Sequence, residues 1–228
     1  MRALSPRAAV LVLTVLLAGC NSVPFLPITC ARPGIPSIVV QIRDDAGKPA
    51  AIGTTVLIRG RAGYTATGKG YGDSLRVSVG ETEGGTFDVR VTKPWHNAAI
   101  LSDVKVPADA CGVERPREVS LVLTRVPGAP AVRQVVAAPF GYSFGWGNLS
   151  AQLVAYVEAD AGVSREVEWV SRDSTVARVT RGGTLTSVCR STPGSTWVVA
   201  SAVADRSVSD SISVGVSADQ DPQRCPAR

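Results

Sequence analysis

From Ser37 onward, apolar and polar residues alternate in short runs separated by turn-forming residues. Phe87-Asp88-Val89-Arg90-Val91 and Val104-Lys105-Val106 repeat with a period of two. That period places successive side chains on opposite faces of a β-strand and gives the strand one buried and one solvated face. The run Ser37-Ile38-Val39-Val40-Gln41-Ile42-Arg43 gives way to Asp44-Asp45-Ala46-Gly47-Lys48-Pro49, in which Asp, Gly and Pro supply turn chemistry. Further strands are predicted over Thr54–Arg59, Tyr64–Thr67, Leu75–Val79, Thr86–Thr92, Leu101–Val106 and Glu118–Thr124. Seven short strands joined by turns predict a β-sandwich. Composition points the same way. The chain has 34 Val and 8 Ile against 14 Leu, 4 Lys and 7 Glu, so β-branched residues outnumber straight-chain helix formers. An all-β protein follows, long enough at 228 residues for one or two domains.

The strand pattern breaks at Val126-Pro127-Gly128-Ala129-Pro130-Ala131, an uncharged stretch with two prolines and a glycine. It reads as a short, fairly stiff linker over 127–132, between modules at 30–126 and 133–228. The net charge of +5 is small for the chain length, and no basic patch of the kind that binds nucleic acid stands out.

The first residues read as an address. Arg2 and Arg7 precede an apolar run from Ala8 to Leu17, which at about ten residues is too short to span a bilayer and is expected to be a signal-peptide core within 1–19. Leu17-Ala18-Gly19-Cys20 resembles the lipobox of bacterial lipoproteins. The resemblance implies cleavage before Cys20 and acylation of that cysteine, with 20–29 as a lipidated tether. Two or more acyl chains hold a protein firmly on a membrane. Asn21 stands where inner-membrane lipoproteins often carry Asp, so the expected location is the cell envelope, at the outer membrane or cell surface. With Cys20 taken by lipid, Cys30, Cys111, Cys189 and Cys225 remain. An even number in an exported chain suggests two disulfides, with three connectivities open.

Two family resemblances refine the modules. The Ile38-Val39-Val40 strand, the Asp45-x-Gly47-x-Pro49 turn, the Gly85-Thr86-Phe87-Asp88-Val89-Arg90-Val91 strand and the closing Val119-Ser120-Leu121-Val122-Leu123 resemble the carboxypeptidase regulatory-like domain. That family is a transthyretin-like sandwich and brings no catalytic residues. In the second module Val167-Glu168-Trp169-Val170-Ser171-Arg172-Asp173-Ser174-Thr175-Val176-Ala177-Arg178-Val179 is similar to the bacterial immunoglobulin-like group 2 domain. Gly183–Val188, Pro193–Ala200 and Ser211–Val216 continue the likeness. Val167 and Trp169 share a strand face, which makes Trp169 a core residue. The two resemblances imply an immunoglobulin-like and transthyretin-like tandem. They also favour the pairing Cys30–Cys111 and Cys189–Cys225, each bridge inside its own module. Group 2 domains are common in bacterial surface proteins and adhesins. The implied function is therefore non-catalytic display: structural spacing plus adhesion or protein interaction.

Little in the chain carries reaction chemistry, and neither enzymatic activity nor a cofactor is expected. His96 is the one histidine, so a nucleophile–base triad has one candidate base, and its Pro94-Trp95-His96 setting reads as a solvated loop. No cysteine pair has C-x-x-C spacing, which argues against zinc. Ser102-Asp103-Val104-Lys105 matches S-x-x-K, but in a strand positions i and i+3 face opposite ways. Gly68-Lys69-Gly70-Tyr71-Gly72 lacks a phosphate-loop ending and reads as a hairpin loop. Asp44-Asp45 and Asp219-Gln220-Asp221 are carboxylate pairs of the kind calcium takes, read here as turn and tail. One stretch is unusual: Phe140, Tyr142, Phe144 and Trp146 alternate with Gly and Ser, and an extended backbone would present all four on one face. That strip is either a lid over the core or a surface for stacking on sugars. The second possibility gives the alternative function, a carbohydrate-binding accessory lipoprotein. The expected partners are the membrane, through the lipid, and a protein or glycan at the cell surface.

Overall fold

The computed structural model describes residues 34–145 and 150–218. Among the described residues there are eighteen strands and no helix. In chain order they are β1 (Ile38–Asp44), β2 (Thr55–Gly60), β3 (Thr65–Lys69), β4 (Arg76–Val79), β5 (Gly85–Thr92), β6 (Ala99–Val106), β7 (Ala108–Asp109), β8 (Gly112–Val113) and β9 (Arg117–Leu123). The second half supplies β10 (Val132–Ala138), β11 (Gly141–Phe144), β12 (Ser150–Gln152), β13 (Val154–Ala159), β14 (Val167–Ser171), β15 (Ala177–Val179), β16 (Thr184–Ser187), β17 (Gly194–Ala202) and β18 (Ser209–Val216).

The chain is all-β and forms two β-sandwiches in series. In the first, the sheet β4-β1-β9 faces the sheet β3-β2-β5-β6. Their inward residues, among them Ile38, Val40, Ile42, Val56, Ile58, Phe87, Val89 and Leu123, form one apolar cluster. In the second, β11-β18-β17-β14 packs with β12-β16-β15 and the pair β10-β13 around Phe144, Leu153, Trp169, Leu185, Val198, Ile212 and Val214. Trp169 lies in this core. Period-two alternation explains the assignment: β5 reads buried at Phe87, Val89 and Val91 and exposed at Asp88 and Arg90, and burying each large apolar side chain contributes about 1.5–3 kcal/mol.

Two details depart from the sequence reading. Gly68 and Lys69 belong to β3, and the segment after them crosses from one sheet to the other instead of closing a hairpin. Gly68 is required there because a Cβ would stand 2.6 Å from the Ser78 carbonyl oxygen. In β6 the register shifts opposite Phe87 and Val89, with Asp103 in the left-handed region at φ 59°. The bulge cancels the expected alternation, so Ser102 and Lys105 are both exposed.

Candidate functional site

The most chemically distinctive group lies where the two sandwiches meet, and the turn after β5 builds it. Pro94 supplies a fixed φ, Trp95 occupies the left-handed region at φ 61°, and the His96 N–H donates to the Lys93 carbonyl at 3.2 Å. The Val126 N–H donates to the Trp95 carbonyl at 2.9 Å and ties this turn to the start of the linker. The result sends Lys93 and His96 inward and leaves Trp95 half-exposed.

Opposite them, the second sandwich contributes Arg133 from β10 and Glu158 from β13, with Asp160 just beyond it. The Lys93 side chain is only 3% exposed; Nζ is 2.8 Å from Glu158 Oε2 and donates to the Ala50 carbonyl at 3.2 Å. Arg133 Nε donates to Glu158 Oε1 at 3.2 Å and Nη1 to Asp160 Oδ1 at 2.7 Å. Arg125, from the linker side, reaches the same Asp160 oxygen at 3.0 Å. The His96 side chain is 6% exposed, with Nε2 3.9 Å from Glu158 Oε1. Its Nδ1 is 2.8 Å from the Pro94 carbonyl, which can only accept, so Nδ1 carries the proton. The expectation of a solvated His96 is corrected: the Pro94-Trp95 turn folds the ring into the junction.

Electrostatics follow from the pairing. Hydrogen bonds from Arg133 and then Arg125 hold the Asp160 carboxyl below the usual carboxylate range. Burial works against the Arg133 guanidinium, but Asp160 and Glu158 outweigh it and keep it charged. Burial, reinforced by the Glu158 charge, pushes the Tyr156 hydroxyl up. Buried charges are tolerated only when paired and hydrogen-bonded, and here each carboxylate is claimed by two cations. The consequence is mechanical: the two sandwiches are joined through Lys93, Glu158 and Arg133, whose side chains are held largely out of water. Among the described residues, no three His, Cys, Asp or Glu side chains come close enough to hold a metal ion.

The Gln134 side chain adds a neutral contact, with Nε2 donating to the Gly53 carbonyl at 3.1 Å. Beside it an open cleft of about 790 Å³ is lined by residues including Lys69, Arg133, Gln134, Phe140 and Ser211.

The aromatic strip does not form one open face. Phe140 precedes β11 and packs edge-on against Tyr71 of the first sandwich, ring centroids 4.4 Å apart, with Lys69 Nζ 5.2 Å from its centroid. Tyr142 and Phe144 do share a side, at 4.8 Å, but it is the core side of β11, and Phe144 is 2% exposed. The physical reason is that β11 pairs along β18 and its alternation turns these rings inward. Trp146 lies outside the described residues. So do Cys20, Cys30, Cys225 and the Asp219–Asp221 pair. Cys111 and Cys189 are each disulfide-bonded.

Sequence reasoning passed over Lys93, Arg133, Glu158 and Asp160. Local pattern carries no sign of a pair such as Lys93–Glu158, and the faint signal was a lysine, one of four in the chain, at the end of an apolar strand before a proline. Trp197, inside the Pro193–Ala200 segment of the family likeness, stands half in solvent.

No protein-family model matches the chain, and no curated protein matches it. Solved structures do. The chain is similar to domains 4 and 5 of the S-layer protein SbsC, with 17% identity, coverage of 78% of this chain and 80% of that one, and a TM-score of 0.30. It is similar to extracellular cadherin domains 1–4 of protocadherin gamma B7, with 12% identity, coverage of 82% and 51%, and a TM-score of 0.32. Domains EC22–24 of mouse cadherin-23 match at 10% identity, 82% and 67% coverage, and a TM-score of 0.32.

Proposed function

We propose that this is a non-catalytic, lipid-anchored cell-envelope protein whose two β-sandwiches provide spacing together with adhesion or protein interaction. The carrying observation is the Lys93–Glu158–Arg133 cluster. It commits the groups best suited to acid–base work to joining two sandwiches, which is what a spacer needs and what a catalyst would avoid. The anchor is Cys20, at the end of Leu17-Ala18-Gly19-Cys20. The disulfides pair Cys30 with Cys111 and Cys189 with Cys225, one bridge in each sandwich. With a tether of nine residues, Asn21–Thr29, reaching at most roughly 30 Å, the first sandwich stays near the bilayer and the second projects beyond it.

The test is to express the full chain in a Gram-negative host fed a labelled fatty acid and to weigh the mature protein. Label in the membrane fraction, a diacylglyceryl mass on Cys20 and loss of both in Cys20→Ala are the expected result. An unacylated chain in the soluble fraction would overturn the anchor.

A further inference from the structure

The outer face of the sheet β11-β18-β17-β14 carries a second kind of order. The strand registers set its rows: Arg172, Trp197, Ser213 and Gly141 lie side by side, with Ser195, Gly215 and Ser143 in the row on one side and Val170, Val199 and Ser211 in the row on the other. Trp197 is 50% exposed and Val170 53%; Val199 is half-buried and Arg172 stands at the edge, and the other residues of these rows are serine and glycine. Glycine weakens a strand interior and often marks a place where a ligand or another backbone approaches closely. The backbone does not require it here: Gly141 and Gly215 have no positive φ, and an added Cβ would make only ordinary contacts at 3.6 and 3.7 Å. Arg172 is exposed and has no ionic or side-chain hydrogen-bond partner among the described residues.

From this arrangement we infer that the face binds an acidic glycan, one sugar ring stacking on Trp197, its hydroxyls meeting Ser213, Ser195 and Ser211, and its carboxylate meeting Arg172. The inference deepens the interaction role proposed above and names its partner class. One indole with small neighbours suits the flat C–H face of a sugar ring, whereas a protein interface draws on a broader buried apolar centre. Charge complementarity selects the acidic sugar, because Arg172 is a free fork donor that matches a carboxylate. Ser211 also lines the cleft that contains Lys69, so a longer chain has a second cation at the far edge.

The experiment is calorimetric and fluorescence titration of the full-length protein in detergent with oligogalacturonate, using a neutral cello-oligosaccharide of equal length as control. Saturable binding to the acidic oligomer, weakened about tenfold in Arg172→Ala and lost in Trp197→Ala, is the expected result. Trp197→Phe should retain calorimetric binding while removing the indole emission change, which separates stacking from misfolding. No binding to the acidic oligomer, or binding indifferent to Trp197, overturns the inference. So does self-association that Trp197→Ala abolishes without any glycan response, which would make the face a contact between copies of the chain. Acylation of Cys20 is read by mass and glycan contact by heat, so either reading can fail without the other.

Discussion

Glu158 is the residue on which the junction turns. It accepts from Arg133 and sits against Lys93 Nζ, both largely out of water, so removing its charge takes away the anionic partner of Lys93 and leaves Arg133 with Asp160 alone. Glu158→Gln is expected to destabilise by about 3 kcal/mol, because an uncompensated buried charge costs more than the pair contributes. Replacing both sides with apolar residues, Lys93→Met with Glu158→Leu, should recover most of that loss. Urea midpoints of the two singles and the double give the coupling directly. If the double variant is as unstable as the sum of the singles, the pair is not the unit described here.

At the scale of elements, the corner after β14 is held by local hydrogen bonds. Asp173 Oδ1 accepts from the Thr175 N–H at 2.9 Å and the Thr175 hydroxyl at 2.6 Å. The Thr196 hydroxyl accepts from the Asp173 N–H at 2.9 Å and ties the corner to β17. Asp205 repeats the device with Ser207 before β18. The Thr175 hydroxyl and N–H hold the Asp173 carboxyl below its ordinary range, and Ser207 does the same for Asp205. A carboxyl lowered on folding stabilises above its unfolded pKa, about 4, and that contribution is lost as pH falls through the folded value. Asp173→Asn is therefore expected to be less stable than the parent at pH 7, with the difference shrinking as pH falls below about 4. Thermal melts across that range check the sign, and a difference that grows on acidification would contradict it.

For the whole molecule the ion cluster and the Gln134–Gly53 contact couple two cores that share no apolar cluster. The described residues from 34 onward form one compact unit, and calorimetry of the intact chain should show a single transition. Gly53 lies at φ 79°, and a Cβ there would stand 2.1 Å from Gln134 Oε1. Gly53→Ala should split the transition in two, and Gln134→Ala, which leaves the Gly53 backbone untouched, should broaden it. Retention of one unshifted transition in both variants would show that the sandwiches couple by other means.

Alternation, β-branched composition and turn chemistry determined most strands of the first sandwich, the all-β class and the shared face that buries Trp169, since those depend on neighbours two residues away and on local backbone preference. The same period left Phe140–Phe144 open between core lid and surface, because it shows that alternate rings share a side without showing which side meets the core. Which side is inward depends on β11 joining β18, a pairing of residues 72 positions apart in register. The Lys93–Glu158 pair and the Arg172–Trp197–Ser213 row likewise join residues that no local rule connects. Sequence fixes what each short segment prefers; only the closed structure decides which segments become neighbours, and charge pairing and surface patches are properties of neighbours.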